Sequence, residues 1–552
     1  MLGERVYDKI EPVMDDNKAY KIPIWLIAVA VVGLFALYFV RLGSYPLADP
    51  DEPIYGQIAK EMAQGAGWLT PHYGGKVWFD KPPLYHWLSG ACMLVLGPTE
   101  LACRLPSAIL AVALVLILYA LVKHDFGRRA ALLSAVALAT SLAMIILARA
   151  AVADMTFTVC LLGAIYAYRR WLDSDGRARF GWMALCGASA GLGMLVKGPV
   201  APLLLFLTFV IHLCWTRKLK RLVSLDALLG IVAALLVGVP WFAAMYTMNH
   251  DAFMQQYIQF HNIDRYTKPL HPGTTGAWYA YFFFIPVFFL SCFPWSVLVP
   301  SAIIRFRSAN TGAMLATVWC AVVFIFFSVS KTKLWTYIFP TYPMAALFVG
   351  VMINRAALGD IGCGKSVKRG LIAGMVMALA LALALTMYIN YRLDDVRLAG
   401  AMLGVGVVLV LMFVVAFIQR RNAERAVWTI GTGMAIFALI LMLGMLPRAT
   451  RNMSTRDILR EIPPGGRIGA RLEVVKKPSL IFYLGYWPKQ LDTIADAEAF
   501  LSKNVATWVL CNGKDAEELR SDGYAETARA GNMSLIANKL AEGRQRSKST
   551  DR

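Results

Sequence analysis

The sequence predicts a polytopic α-helical membrane protein with about thirteen spans and a small C-terminal extracytoplasmic α/β domain. Three observations lead there. Of 552 residues, 58% are hydrophobic and 16% charged, against roughly 25% charged in soluble proteins. Apolar runs of about 20 residues, the length that crosses a bilayer, recur along most of the chain. Basic residues gather in the short loops between those runs: Arg128-Arg129, Arg169-Arg170 with Arg177 and Arg179, Arg217 to Arg221, Arg305 with Arg307, Lys365 to Arg369, and Arg420 to Arg425. That bias marks these loops as cytoplasmic. Because the cations are scattered over loops, the net charge of +20 forms no patch for nucleic acid. A membrane β-barrel would show short alternating strands instead.

The elements follow in order. Residues 1–21 are polar, and Glu4, Asp15 and Asp16 do not fit a cleavable signal, so this segment is expected as a cytoplasmic N-terminus. The run 22–40 is a signal anchor that exits the cytoplasm. The run 105–122 returns, because the basic segment 124–129 follows it. Between them, 83–97 is short and carries His86, Trp87 and Ser89; it reads as an interfacial or re-entrant helix. Further spans are expected at 130–147, 152–168, 182–196, 200–215, 225–246, 277–304, 311–329, 334–353, 371–391, 399–418 and 426–446. A transmembrane domain therefore covers 22–446, with long extracytoplasmic loops at 41–104 and 249–276.

The segment 447–541 is expected to be the α/β domain, facing out. Ser454 caps a helix running to Glu461, and β-rich runs follow at 479–484, 507–510 and 534–536. Residues 542–552 are polar and expected to be disordered. Of nine cysteines, Cys160, Cys186, Cys214, Cys292 and Cys320 fall in apolar segments and Cys511 alone in the tail, so no disulfide framework is implied.

The outward-facing loops and span ends hold groups that crossing a membrane does not require. The first loop carries Asp51, Glu52, Tyr55, Asp80 and Lys81. Asp154 opens a span beside Arg149, and Lys197-Gly198-Pro199 joins two spans. His261 and Arg265 are four residues apart, so on a helix they share a face. Lys331, Lys333 and Tyr337 open another span. A single cation such as Lys333 is also explained by snorkelling, and Asp154 by a helix cap or by pairing with Arg149. As a set, the cations suit a lipid phosphate, and the carboxylates suit orienting or deprotonating an attacking group. No P-loop, dinucleotide turn or nucleophile elbow is present, which argues for a lipid-borne donor over a nucleotide sugar.

Four stretches carry a resemblance. They are Asp51-Glu52-Pro53-Ile54-Tyr55-Gly56-Gln57-Ile58-Ala59-Lys60-Glu61-Met62, Trp78-Phe79-Asp80-Lys81-Pro82-Pro83-Leu84, Leu195-Val196-Lys197-Gly198-Pro199 and Lys333-Leu334-Trp335-Thr336-Tyr337-Ile338-Phe339-Pro340. In these the chain resembles the bacterial GT-C glycosyltransferases of the protein-mannosyltransferase superfamily, most of all the lipid A aminoarabinose (4-amino-4-deoxy-L-arabinose) transferases. The resemblance implies an undecaprenyl-phosphate-linked sugar as donor and lipid A as acceptor, with inverting transfer on the periplasmic face of the inner membrane.

The resemblance also implies roles. Asp51, Asp154 and Lys81 match catalytic positions. Lys81, Arg265, Tyr55, Lys197 and Tyr337 match the donor-phosphate side, with Glu52 and Lys333 as acceptor-side or supporting groups. It requires no cofactor, although Asp80 and His261 fall where relatives place metal-binding side chains, so a divalent ion such as zinc would find two ligands there. Ile54 departs from the arginine common in aminoarabinose transferases, and Trp78 and Asp80 from tyrosine and glutamate. Two alternatives stay open: a transferase of the same fold acting on lipopolysaccharide core glycan or protein Ser/Thr, and a lipid or sugar flippase. The flippase would place ionisable residues deep in the spans and broken helices in matching halves.

Overall fold

The computed structural model describes residues 24–268, 278–393, 396–445 and, with gaps at 464–465, 472–473, 475 and 531, 454–543. The expectation for 1–21 lies outside the described residues, as do 269–276 in the second long loop and 544–552 of the tail expected to be disordered from 542; Glu542 and Gly543 end a short helix instead.

Helices dominate residues 24–445. In chain order they begin with α1 (Ile24–Tyr38), α2 (Asp51–Glu61), α3 (Leu84–Leu96), α4 (Glu100–Phe126), α5 (Arg128–Ala139), α6 (Leu142–Ala148), α7 (Asp154–Leu172), α8 (Arg177–Lys197), α9 (Val200–Trp215) and α10 (Leu225–Met248). Among the described residues, seven helices are long and apolar enough to cross a membrane, or nine if each of two bent pairs counts as one span. The chain is thus a multi-pass membrane protein. Shorter apolar helices, α3 and α9 among them, occupy other apolar ranges. α7 is 19 residues long, but Arg169 and Arg170 in its last turn lower its hydropathy.

Two ranges read as single spans are broken. α5 and α6 meet at a bend of 67°, and Ala280–Ser291 meets Ser296–Phe306 at 118°. At the second break Pro294 has no N–H to continue the ladder. Beside it, the Phe293 carbonyl accepts from the Leu142 amide at the first break, 2.9 Å away. The two breaks therefore satisfy each other's backbone, as an apolar surrounding demands.

The first long loop is built on α2. Its opening acids, Asp51 and Glu52, sit where the positive end of a helix dipole favours them. Beyond α2, strands β1 (His72–Tyr73) and β2 (Lys76–Val77) form a hairpin. Gly74 and Gly75 both take positive φ, +62° and +77°, the conformation a two-residue hairpin turn needs. Glu61 accepts from both turn amides, at 2.6 and 3.1 Å, and fixes the hairpin to the end of α2.

The tail holds a five-stranded mixed sheet. Strands β3 (Arg467–Arg471), β4 (Lys489–Leu491), β5 (Thr507–Asn512), β6 (Ala525–Ala530) and β7 (Met533–Ala537) stand in the order β4-β3-β5-β7-β6. β3 runs parallel to both β4 and β5, with Ile468 opposite Trp508; β7 is antiparallel to β5 and β6. Trp508, Leu510 and Leu535 form part of the core on one face, and Leu491, Phe500, Val509 and Ile536 part of that on the other.

Two local expectations differ from the structure. Residues 479–484 were expected as a strand, yet Pro478–Leu484 is a helix. An apolar run this short has no decisive period, and Pro478 presets the first helical φ. The helix expected from Ser454 to Glu461 is only Arg456–Leu459, preceded by Thr455.

Candidate active site

Three segments converge above the helices. Phe79 is fully buried in a cluster with Leu195, Trp241, Met245, Phe253 and Tyr257, and its amide donates to Gln256 Oε1 at 3.2 Å. This anchor fixes the next two residues, Asp80 and Lys81. The facing wall is a π-helix, Phe253–Asp264, which carries His261 and delivers Arg265 in the turn after it. π-Helical turns are rare and concentrate at functional sites.

Asp80 is the hub of the cluster. Its Oδ1 lies 2.7 Å from Lys81 Nζ, 3.2 Å from an Arg265 guanidinium nitrogen and 2.8 Å from His261 Nδ1. The histidine contact is off the line a hydrogen bond needs. Burial would raise the Asp80 carboxyl, but Lys81, His261 and Arg265 together hold it well below the usual carboxylate range. Burial lowers the Lys81 ammonium, against the pull of Asp80, with Arg265 and Lys197 adding to the fall. The Arg265 guanidinium is raised despite its burial, by Tyr337, Asp80 and Tyr55 beside it. The π-helix thus brings His261 and Arg265 together onto one carboxylate.

A second ion pair abuts the first. Asp154, at the start of α7, accepts from Lys197 Nζ at 2.6 Å. Lys197 also sits 5.0 Å from the Phe157 ring and 5.9 Å from the Tyr337 ring. Arg149, one of the two readings offered for Asp154, turns the other way. It donates to the Leu37 and Val40 carbonyls at 3.2 and 2.8 Å, closing the end of α1. Lys197 is presented by the Gly198 turn, whose φ of +78° suits glycine. A Cβ there would strike the Tyr257 hydroxyl, so Gly198→Ala is both strained and blocked. We expect that variant to lose about 1–3 kcal/mol of stability, read as a lower melting temperature of the purified protein.

Asp51 and Glu52, adjacent in sequence, part company. Glu52 is buried and saturated. Arg104 grips it with two bonds of 2.8 and 2.7 Å, and the amides of Ala48 and Ala151 donate at 2.9 and 2.7 Å. Burial alone would raise the Glu52 carboxyl; Arg104 and the two amides hold it below the ordinary value. Arg104 spends its remaining donors on the Leu42, Tyr45 and Pro46 carbonyls and lies 3.9 Å from the Tyr45 ring. Glu52 is therefore a structural staple. Arg104 escaped the sequence reading because it stood at the boundary of a loop; as a charge in the first turns of an apolar helix it was open to suspicion.

Asp51 has no hydrogen bond or ion pair of its own among the described residues. It is exposed, yet the protein around its carboxylate desolvates it. Desolvation first, then the charges of Asp154 and Asp80, push its carboxyl above the usual range, while Lys81 and Arg265 pull it down. The Tyr55 ring, from the next turn of α2, stacks on His86 with centroids 5.2 Å apart and meets Tyr85 edge-on at 5.5 Å. Its hydroxyl feels the fields of Asp80, Asp154, Asp51 and Arg265.

The structure therefore gathers Asp51, Tyr55, Asp80, Lys81, Asp154, Lys197, His261, Arg265 and Tyr337. It does not bring Lys333 to them. Lys333 donates to the Ser328 and Ser330 carbonyls at 2.7 and 2.8 Å, and its nearest rings are Tyr281 and Phe284. Its contacts are those of a helix C-terminal cap, a sufficient structural reason for the residue.

A resident metal does not fit Asp80 and His261 as they stand. They supply two ligands where even open catalytic zinc sites use three, and Asp80 Oδ1 already meets Lys81, Arg265 and the His261 ring. The group of three metal-type ligands among the described residues is elsewhere: His124, Asp125 and Asp173. Arg169 already bonds both of those acids.

The fold defines the class. It is the GT-C fold, matching the crystal structure of ArnT from Cupriavidus metallidurans bound to undecaprenyl phosphate with a TM-score of 0.80 at 24% identity, over 94% of this chain and 99% of that one. The apo form of the same protein matches with a TM-score of 0.78. In sequence, residues 80–243 match the family described as dolichyl-phosphate-mannose-protein mannosyltransferase.

The particular resemblance is to the undecaprenyl phosphate-alpha-4-amino-4-deoxy-L-arabinose arabinosyl transferases. The chain is 30% identical to the one from Pseudomonas aeruginosa (strain UCBPP-PA14) over 342 residues, 61% of each chain. It is 29% identical to that of Erwinia tasmaniensis over 336 residues, 59% of each. The chain thus spans about three-fifths of the length of the curated relatives it matches.

Proposed function

We propose that this protein is a glycosyltransferase of the bacterial inner membrane. It moves 4-amino-4-deoxy-L-arabinose, the sugar in the names of its relatives, from undecaprenyl phosphate to lipid A on the periplasmic face. One observation carries the reading: Asp51, a carboxylate with no hydrogen bond or ion pair among the described residues, stands in the field of two cations, Lys81 and Arg265, and Lys81 in turn feels Lys197. A lipid-phosphate sugar presents the complementary groups, a phosphate for the cations and an anomeric carbon at the phosphate oxygen.

The reaction is a single inverting displacement. The bond between the anomeric carbon and the phosphate oxygen breaks, and its electron pair leaves on undecaprenyl phosphate. An acceptor oxygen forms the new bond from the opposite face. Lys81 and Arg265 neutralise the charge that grows on the leaving phosphate, so no strong general acid is needed. Asp80 holds those two cations in place, and Asp154 holds Lys197. Asp51 orients the acceptor if the acceptor is a phosphate, already ionised. It takes the proton if the acceptor is a hydroxyl.

The test is direct. Purified protein given undecaprenyl-phosphate aminoarabinose and lipid A is expected to yield lipid A heavier by one aminopentose, seen by mass spectrometry. Unchanged lipid A, with sugar appearing on core glycan or protein instead, would replace the acceptor. The pH profile assigns Asp51 its role. With a hydroxyl acceptor the rate falls as pH drops through the raised Asp51 value, because the ionised base is lost. With a phosphate acceptor that limb is absent.

A further inference from the structure

We propose that Ser479 is a positioning residue: through Asp49, the tail helix Pro478–Leu484 sets the aim of Asp51 across the boundary between tail and membrane body. This rests on the transferase reading above.

The contacts form a chain. Asp49, two residues before Asp51, accepts from the Ser479 amide at 2.7 Å and from the Ser479 hydroxyl at 2.6 Å. That hydroxyl in turn accepts from the amide and the hydroxyl of Thr455, both at 3.1 Å. Ser479 and Thr455 are fully buried. Carboxylate-to-hydroxyl bonds of this length are among the stronger hydrogen bonds, and burial shields them from competition with water.

The same helix grips the loop and α2 on both sides of Asp51. Upstream, the Leu47 amide donates to the Tyr483 hydroxyl at 2.9 Å, and that hydroxyl donates to Glu100 at 3.2 Å. Arg456 holds the same Glu100 oxygen at 2.9 Å. Downstream, Lys60 Nζ donates to the Phe482 carbonyl at 2.9 Å. Between them Gly56 faces the Phe482 ring and Cys103 so closely that a Cβ would sit about 3 Å from each.

On its inner side the same turn is stapled by Glu52 to Arg104. Asp51 has no bond of its own, so its direction is inherited from these two flanking attachments. The inner one belongs to the membrane body and the outer one to the tail. A carboxylate aimed this way loses alignment when either attachment loosens, and misplacement by about 1 Å costs on the order of 100-fold in rate.

The experiment uses the full chain in detergent or nanodiscs. Ser479→Ala is expected to lower kcat on the order of 10–100-fold while leaving KM for the lipid-phosphate donor unchanged, because Lys81 and Arg265 are untouched. Ser479→Thr, which restores the hydroxyl, is expected to recover kcat. Independently of activity, hydrogen exchange of the amides of 51–61 is expected to quicken in Ser479→Ala. Normal kcat in Ser479→Ala overturns the proposal. So does a loss of kcat that comes with a raised donor KM and lower melting temperature and that Ser479→Thr fails to repair. If the wild type transfers to no acceptor, the transferase reading fails, and exchange decides the latch: unchanged exchange overturns it and quickened exchange supports it.

Discussion

Asp51→Asn abolishes transfer, lowering kcat by about 10²–10⁴-fold if Asp51 is the base, and at the same time raises the melting temperature. The two effects have one origin. Desolvation and the neighbouring acids push the Asp51 carboxyl above its ordinary value, so the folded protein holds that proton more tightly than the unfolded chain. The stability linked to this group is full below the unfolded pKa and is lost as pH rises through the folded one. At neutral pH the ionised group therefore strains the fold, and the neutral amide removes the strain together with the function. Transfer assays and a thermal melt at pH 7 on one preparation check both halves. A variant that transfers normally removes Asp51 from the chemistry. One that is inactive but less stable removes the electrostatic account. Lys81→Ala is expected to be inactive for a different reason: on the proposed mechanism it removes the ammonium that meets the donor phosphate, and it leaves Asp80 short of its closest cation.

Glu52→Gln costs on the order of 3–5 kcal/mol, the typical penalty for breaking a buried pair from one side. The Arg104 side chain is fully buried and pairs with no other carboxylate among the described residues. The amide replaces one acceptor oxygen with a donor, facing either the guanidinium or a backbone N–H. Stability from the intact pair is present above the unfolded carboxyl pKa and fades as pH falls through the depressed folded value. A melt of Glu52→Gln against wild type, repeated toward acid pH, is expected to show the gap closing. A gap that stays constant would mean the pair contributes no pH-linked stability.

These adjacent acids show what the sequence could reveal. Composition and loop charge suffice to read a multi-pass helical protein, and the motifs around Asp51 and Asp80 lead to residues that the fold brings together, because both signals are local. The staple was not local: Arg104 lies 52 residues from Glu52, and nothing in either segment names the other. The breaks at 67° and 118° were hidden because an apolar run reads the same whether straight or folded back. Pro478–Leu484 was misread for a related reason, seven residues being too few for a period to declare itself. Closeness in sequence offers Asp154 a helix cap or Arg149, whereas the fold brings Lys197 from the far end of the next helix.

The crowding on Asp80 bears on how the reaction ends. Before any donor arrives, its Oδ1 already plays the part of an anion for Lys81, Arg265 and His261. An incoming phosphate does not meet bare cations; it must share them with a carboxylate that stays. The cations need little rearrangement on loading, and part of the phosphate's attraction is offset in advance. The spent carrier, more negative than the donor it came from, is then opposed by a permanent rival for the same three groups. On the proposed reaction, Asp80 is in this sense a placeholder that would keep the site from being captured by its own product.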